Sequence, residues 1–228
     1  MKIAAVIPVA GFGKRFSSKI PKQYHLIAGQ PLIAVTLNTI LATKLVNQVV
    51  LVHAPVYKQE LVKIIQNFTA FSGKLFLTTG GATRQDSVYN GLQQVAADTD
   101  IVIVHDGVRP LVSRRIITES IKTAMRYGAC ITALPVRDTI KRVQNGVVMA
   151  TIPRENLWQI QTPQTFRYQL LFDIHQKAKA QNFVGTDDAS LAEWMGIPVY
   201  VIQGEETNIK ITTAGDMEFL KFYLENKK

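Results

Sequence analysis

The sequence predicts an α/β fold with a mostly parallel, twisted sheet. Three observations predict it. Short, nearly continuous runs of Val, Ile and Leu recur along the chain, as in strands covered on both faces. Longer amphipathic segments separate them, which is the alternation of βαβ units. Glycine-rich loops leave the ends of apolar runs, the place where open α/β sheets hold ligands.

The strands are expected at residues 3–8, 48–53, 75–79, 101–105, 129–136 and 198–202. Helices are expected between them at 31–42, 56–68, 84–97 and 114–127, and later at 167–181, 187–195 and 214–226. Residues 138–151 break the alternation, reading as two short strands around Asn145-Gly146. Asn-Gly suits a type I′ turn, because both central residues take positive φ. The hairpin is either an arm projecting from the α/β body or an edge hairpin of the same sheet. With no repeats, linkers or low-complexity tracts, residues 1–228 read as one domain, with residues 138–160 as an excursion from it.

The chain has 228 residues, 47% hydrophobic and 19% charged, enough to bury a core without disulfides. That excludes disorder, collagen-like chains and disulfide-stapled mini-proteins. A lone Cys130 points to a reducing compartment, hence the cytoplasm. No apolar run is long enough to cross a bilayer. Met1-Lys2 and the apolar residues 3–10 loosely imitate a signal peptide, but Pro8 interrupts the run and a glycine loop follows at once. The net charge is +9, and the first acidic residue is Glu60; seven Lys or Arg residues precede it, four of them within 14–22. A basic loop without local acids favours an anionic partner: nucleic acid, a membrane surface or a polyphosphate.

Three constellations carry chemistry. The first runs Pro8-Val9-Ala10-Gly11-Phe12-Gly13-Lys14-Arg15 and continues at Pro21-Lys22-Gln23. Small residues let backbone N–H groups approach a phosphate, and Arg15 and Lys22 add charge. Phe16 breaks the G-x-G-x-x-G fingerprint, and no Gly-Lys-Ser/Thr follows to make a Walker A loop. The second is Gly80-Gly81-Ala82-Thr83-Arg84-Gln85-Asp86-Ser87, in which Thr83 and Asp86 form a capping box. The glycines and Ser87 would suit a base or sugar packed on backbone. The third is His105-Asp106-Gly107-Val108-Arg109. A carboxylate at a strand end beside basic loops is a natural Mg²⁺ ligand, since Mg²⁺ takes one or two carboxylates plus substrate phosphates. The plainer alternative is a surface ion pair between Asp106 and Arg109, with His105 structural. Further motifs are Asp138-Thr139-Ile140-Lys141, Arg154, Thr162-Pro163-Gln164, Thr186-Asp187-Asp188 and Asn208-Ile209-Lys210. Singly they have plain readings: Thr186 as a helix N-cap, Lys210 as an exposed base.

Together, residues 10–15, 21–24, 80–87, 104–110, 135–142, 162–166, 186–190 and 208–212 resemble, in order and spacing, the 2-C-methyl-D-erythritol 4-phosphate cytidylyltransferases of the non-mevalonate isoprenoid pathway. The resemblance implies a Rossmann-like nucleotidyltransferase fold with a β-arm that builds a homodimer. It implies that CTP and methylerythritol 4-phosphate yield the CDP-alcohol and pyrophosphate. By motif, Arg15 and Lys22 would stabilise the α-phosphate, and Arg154 and Lys210 would position the sugar phosphate. Asp106 would hold Mg²⁺. Val9, Ala10, Gly11, Gly13, Gly80, Gly81, Asp86 and Ser87 would line the nucleotide site. Gly107, Arg109, Thr139, Thr162 and Thr186 would contact the substrate, with Thr139 and Arg154 supplied by the partner subunit. Val9 stands where the family usually has alanine, and Gly107-Val108 replaces a common Ala-Ala. Thr207 occupies the place of an acid that some members carry, and the chain reads as a member without the fused cyclodiphosphate synthase domain.

The chemistry agrees with the motifs. The nucleophile is an ionised phosphate oxygen, so no general base is needed, and catalysis is positioning and charge stabilisation. Two alternatives remain: a ribitol 5-phosphate cytidylyltransferase with similar motifs, and a basic nucleic-acid-binding protein. Basic residues concentrated in glycine loops, without stacking-aromatic motifs, argue against nucleic acid as a partner. A glycosyltransferase is a weaker option, because no Asp-x-Asp surrounds Asp106.

Overall fold

A computed structural model describes residues 1–11, 20–68 and 71–226. In chain order the elements are β1 (Ile3–Val9), β2 (Leu26–Ile27), β3 (Gln30–Pro31), α1 (Leu32–Leu41), β4 (Gln48–His53), α2 (Lys58–Ile65), β5 (Lys74–Thr79), α3 (Arg84–Leu92) and β6 (Ile101–Val104). There follow α4 (Arg114–Tyr127), β7 (Ala129–Pro135), β8 (Ile140–Gln144), β9 (Val147–Ile152), β10 (Trp158–Arg167), α5 (Tyr168–Ala180), α6 (Asp188–Trp194), β11 (Tyr200–Gln203) and α7 (Ala214–Asn226). Among the described residues, seven strands form one sheet in the order β11-β7-β10-β6-β1-β4-β5.

The apolar runs have the cause the sequence suggested. Successive side chains of a strand point to opposite faces. Ile3, Ala5, Ile7 and Val9 of β1 pack with α1, α2 and α4 through Ile33, Leu37, Leu61, Ile116 and Ile121. Ala4 and Val6 pack on the other face with Val88 and Leu92 of α3 and with Leu171, Ile174 and Leu191 of α5 and α6. A strand buried on both faces has no room for polar alternation. Each such Leu or Ile contributes about 1.5–3 kcal/mol relative to exposure.

Several expected boundaries move, most in two helices. The helix expected at 84–97 ends at Leu92 and continues as hydrogen-bonded turns. The one expected at 56–68 opens as a 3₁₀ turn, Pro55–Tyr57, before α2.

The pattern failed at β10, for which no strand was expected. It pairs antiparallel with both β6 and β7 in the middle of the sheet. Its sequence is polar, yet Gln161, Thr162, Gln164 and Thr165 are buried. Each has a polar partner: Glu205 O for Gln161, His105 for Thr162, Asp187 for Gln164 and Ser120 for Thr165. Burying polar groups is tolerable when they are hydrogen-bonded, and such a strand carries no hydrophobic signal.

The hairpin is resolved in favour of a separate element. β8 and β9 form their own two-stranded sheet, turning at Asn145 (φ 50°) and Gly146 (φ 78°). The excursion ends at Trp158, where the chain re-enters the main sheet opposite Pro135.

Val9 and Gly107, two departures from the family pattern, are in contact. A Cβ on Gly107 would lie 2.3 Å from Val9 Cγ1 and 3.1 Å from Ile33 Cδ1. The larger residue at 9 is therefore accommodated by the smaller one at 107. Gly107→Ala should destabilise the protein by about 1–3 kcal/mol, and much less in a Val9→Ala background. Denaturant unfolding of the four proteins measures this, and additive losses would refute it.

Candidate active site

Several of the expected site residues lie at the carboxyl ends of the strands, as expected for an open α/β sheet. The loop after β1 is held at its stem by Gln23. Its Nε2 donates to Val9 O (2.7 Å) and Gly11 O (3.0 Å). Gln23 belongs to the 3₁₀ turn Lys22–Tyr24, so the same clamp places the largely buried Lys22 beside this loop. Gly13 and Arg15 lie outside the described residues.

The β5–α3 loop packs directly against the β1 loop. A Cβ on Gly80 would meet Ala10 Cβ at 2.6 Å and Ser87 Oγ at 2.9 Å, so only glycine fits this approach. Gly81 N–H donates to Ser87 Oγ (3.1 Å), which donates to Thr83 O (2.9 Å). The Thr83–Asp86 capping box forms as expected. Gly80, Gly81, Asp86 and Ser87 thus shape the loop through contacts of their own.

Behind Asp106 lies a directional hydrogen-bond chain. Asp106 N–H donates to Thr162 Oγ1 (3.0 Å), and Thr162 Oγ1 is 3.1 Å from His105 Nδ1. His105 Nε2 is 3.0 Å from Arg109 O, which can only accept. The hydroxyl therefore donates to Nδ1, and the proton of a neutral His105 sits on Nε2. Burial pushes the His105 pKa down to about 4, which keeps that neutral form. His105 is structural, and Thr162 sets the height of the Asp106 backbone.

The Asp106 carboxylate faces three cations: Lys210 Nζ at 2.9 Å, Arg109 Nε at 3.5 Å and Arg84 Nε at 3.7 Å. The pair with Arg109 exists, but it is buried, not a surface ion pair. Burial pushes the Asp106 carboxyl up, but Lys210, Arg84 and Arg109 outweigh it and hold it well below the usual carboxylate range. Lys210 is brought in by the segment after β11. Asn208 Nδ2 donates to Thr162 O (2.9 Å), Asn208 O accepts from Arg109 NH1 (2.7 Å), and Ile211 N–H donates to Val108 O. Its side chain is 40% exposed, so it remains open to solvent while pairing with Asp106.

Other expected residues are placed differently. Asp187, not Thr186, caps α6, in a capping box with Ser190, and Thr186 is exposed. Thr139 and Arg154 flank the arm, both exposed; Arg154 donates to Arg137 O, and Arg137 pairs with Glu206. No hydrogen bond or ion pair links either to the Asp106 cluster among the described residues. Two members of the cluster stand in the quoted motifs but received no role from the sequence. Arg84 and Asp188 form an ion pair of 2.9 Å across 104 positions, a meeting that no local pattern announces.

No group of three or more His, Cys, Asp or Glu side chains gathers to hold a metal among the described residues. A single carboxylate nonetheless fits Mg²⁺, which takes its remaining ligands from water and substrate phosphates.

These groups set an acid dependence. His105 binds its proton more weakly folded than unfolded, so stability should fall as pH drops from about 6.5 towards about 4. Asp188 is pushed up by burial but held down to about 2 by Arg84 and His175. Its contribution and that of Asp106 should be lost below about pH 4. Urea midpoints measured from pH 8 to pH 3 check this; a midpoint unchanged between pH 7 and pH 4 would contradict it.

The profile of the IspD family, 2-C-methyl-D-erythritol 4-phosphate cytidylyltransferase, matches residues 3–226. This chain belongs to that family. The 2-C-methyl-D-erythritol 4-phosphate cytidylyltransferase of Geotalea uraniireducens is 40% identical over 99% of this chain and 98% of its own length. The bifunctional enzyme IspD/IspF of Desulfotalea psychrophila is 42% identical over 99% of this chain, which spans 57% of that longer protein. The crystal structure of the 4-diphosphocytidyl-2C-methyl-D-erythritol synthase from Anaerococcus prevotii superposes with a TM-score of 0.85 at 31% identity, covering 99% of this chain and 96% of that one. The IspD fold is thus the Rossmann-like nucleotidyltransferase fold that the motifs implied. The family's activity is enzymatic cytidylyl transfer in isoprenoid biosynthesis, and the ribitol 5-phosphate alternative is not favoured. No helix among the described residues is long and apolar enough to cross a membrane.

Proposed function

We propose that the Asp106 centre is where this IspD-family chain joins CTP to 2-C-methyl-D-erythritol 4-phosphate, releasing pyrophosphate, in the cytoplasm. The observation that carries this reading is the Asp106–Lys210 contact of 2.9 Å, with Arg84 at the end of the β5–α3 loop facing the same carboxylate. A dianionic nucleophile and a triphosphate repel each other, and fixed cations offset that repulsion where charge develops. Lys22, carried beside the β1 loop, stabilises the α-phosphoryl group together with Arg15. Lys210 holds the sugar phosphate and Arg109 keeps the Asp106 loop in shape. A Mg²⁺ ion held by Asp106 would supply further positive charge to the triphosphate.

The arm completes the site from a second copy. Val143, Val147, Val148 and Met149 are all more than half exposed on a two-stranded sheet that has no core of its own. An isolated hairpin exposing four large apolar side chains is marginal in water, so a homodimer covers it. In that dimer Thr139 and Arg154 reach the partner's substrate.

The test is pyrophosphate release by the purified protein with CTP and Mg²⁺, comparing methylerythritol 4-phosphate with ribitol 5-phosphate. Release with the first alone is expected. Release with ribitol 5-phosphate would move the alcohol specificity, and silence with both from folded protein would overturn the assignment.

A further inference from the structure

The Asp106 cluster continues into the protein through the partly exposed Arg84 to the buried Asp188 and His175. Arg84, the first residue of α3, lies between two carboxylates. Its NH1 is 2.9 Å from Asp188 Oδ2, and its Nε is 3.7 Å from Asp106 Oδ1. Asp188 is held firmly. His175 Nε2 of α5 is 3.0 Å from its Oδ1, and its backbone N–H donates to Gln164 Oε1 (3.0 Å). Gln164 also accepts from Ala189 N–H and donates to the Asp187 carboxylate, so α6 is fixed to β10. Asp188 and His175 are each about 1% exposed.

The distances are unequal in an informative way. A guanidinium beside a buried carboxylate ordinarily closes to about 2.7–2.9 Å, often with two parallel bonds. Arg84 closes on Asp188 and stands off from Asp106. The consequence falls on the two oxygens of Asp106. Oδ2 meets Lys210 and Arg109. Oδ1 meets only the distant Arg84 Nε among the described residues.

We propose that Asp188, held by His175, is a positioning residue that restrains Arg84 so that Asp106 Oδ1 stays open to a divalent cation. The proposal rests on the reading of Asp106 as the metal ligand. Without the Asp188 charge, Asp106 is the one ion-pair partner left to Arg84 among the described residues, because the nearby Asp187 carboxylate is already engaged by Gln164 and the Ser190 N–H, and the guanidinium closes on Oδ1. The effect on metal binding is then indirect and passes entirely through Arg84.

The experiment reads metal binding and not turnover. The affinity of the full-length protein for CTP is titrated calorimetrically in EDTA and again with saturating Mn²⁺; the ratio of the two dissociation constants is the metal-dependent gain. Asp106→Asn should abolish the gain. Asp188→Asn should reduce it by at least ~10-fold, the usual cost of disturbing a ligand's supporting partner. In an Arg84→Ala background, Asp188→Asn should cause no further loss, because the restrained group is gone. His175→Leu should give a smaller loss in the same direction, and His175→Gln, which keeps a donor for Asp188, should restore the gain; this pair serves if Asp188→Asn does not fold. A full gain in Asp188→Asn, or an equal loss with and without Arg84, overturns the proposal while Asp106 stands. A gain that survives Asp106→Asn, or is missing from the unmodified protein, overturns the metal reading and the proposal with it.

Discussion

Lys22→Ala should lower kcat by at least ~100-fold while leaving the fold intact, the scale of removing one preorganised donor from a developing charge. The side chain belongs to the 3₁₀ turn Lys22–Tyr24, and its neighbour Gln23 clamps Val9 O and Gly11 O. That clamp fixes the turn from which the side chain leaves, and Lys22 is itself buried. A preorganised ammonium costs no reorganisation when charge builds on the α-phosphoryl oxygens, so its loss should appear in kcat more than in KM. Initial rates of pyrophosphate release at varied CTP measure both constants. A kcat within a few-fold of the unmodified protein would remove Lys22 from the chemistry.

Asp106→Ala should cost about 3 kcal/mol of stability, the lower end for removing one partner of a buried ion pair. Arg84, Arg109 and Lys210 would lose their shared counter-charge. The lower end applies because Arg84 and Lys210 are partly exposed, at 30% and 40%, and water takes over some of their solvation. Lys210→Ala is the contrast: it removes the most exposed cation, leaves two on Asp106, and should cost far less stability. Denaturant unfolding of both variants measures the difference, and an Asp106→Ala protein as stable as Lys210→Ala would show that the cluster is not held together by this carboxylate.

Much of this molecule was legible in its sequence because its strands are covered twice. Ile3–Val9 and Gln48–His53 have apolar neighbours on both faces, which leaves an unbroken apolar run to read. The hairpin was legible through its turn chemistry, since Asn145-Gly146 states the turn without reference to packing. β10 was not, because its buried residues are satisfied by distant polar partners, and a hydrogen bond to Glu205 or Ser120 leaves no local trace. The site divides in the same way. Motifs singled out Asp106 and Lys210 separately, and their meeting at the strand ends follows from the fold. The stand-off of Arg84 between two carboxylates depends on helices 104 positions apart in the chain. Thr186 was misread because threonine and aspartate can both cap a helix, and the backbone selects the later residue, which is also the better cap.

The central position of β10 also governs how the chain must be made. The sheet order places β10 between β6 and β7, so the block of β6, β1, β4 and β5 is joined to the pair β7 and β11 only through it. During synthesis the first block can assemble once β6 has emerged. Its outer strand is then Ile101-Val102-Ile103-Val104, a bare edge of four apolar, β-prone residues. That edge stays open until residues 158–167 leave the ribosome and pair with it. The nascent chain therefore carries a sticky seam for more than fifty residues of elongation, and the polar strand that closes it last is also the one that delivers Thr162 to the active site.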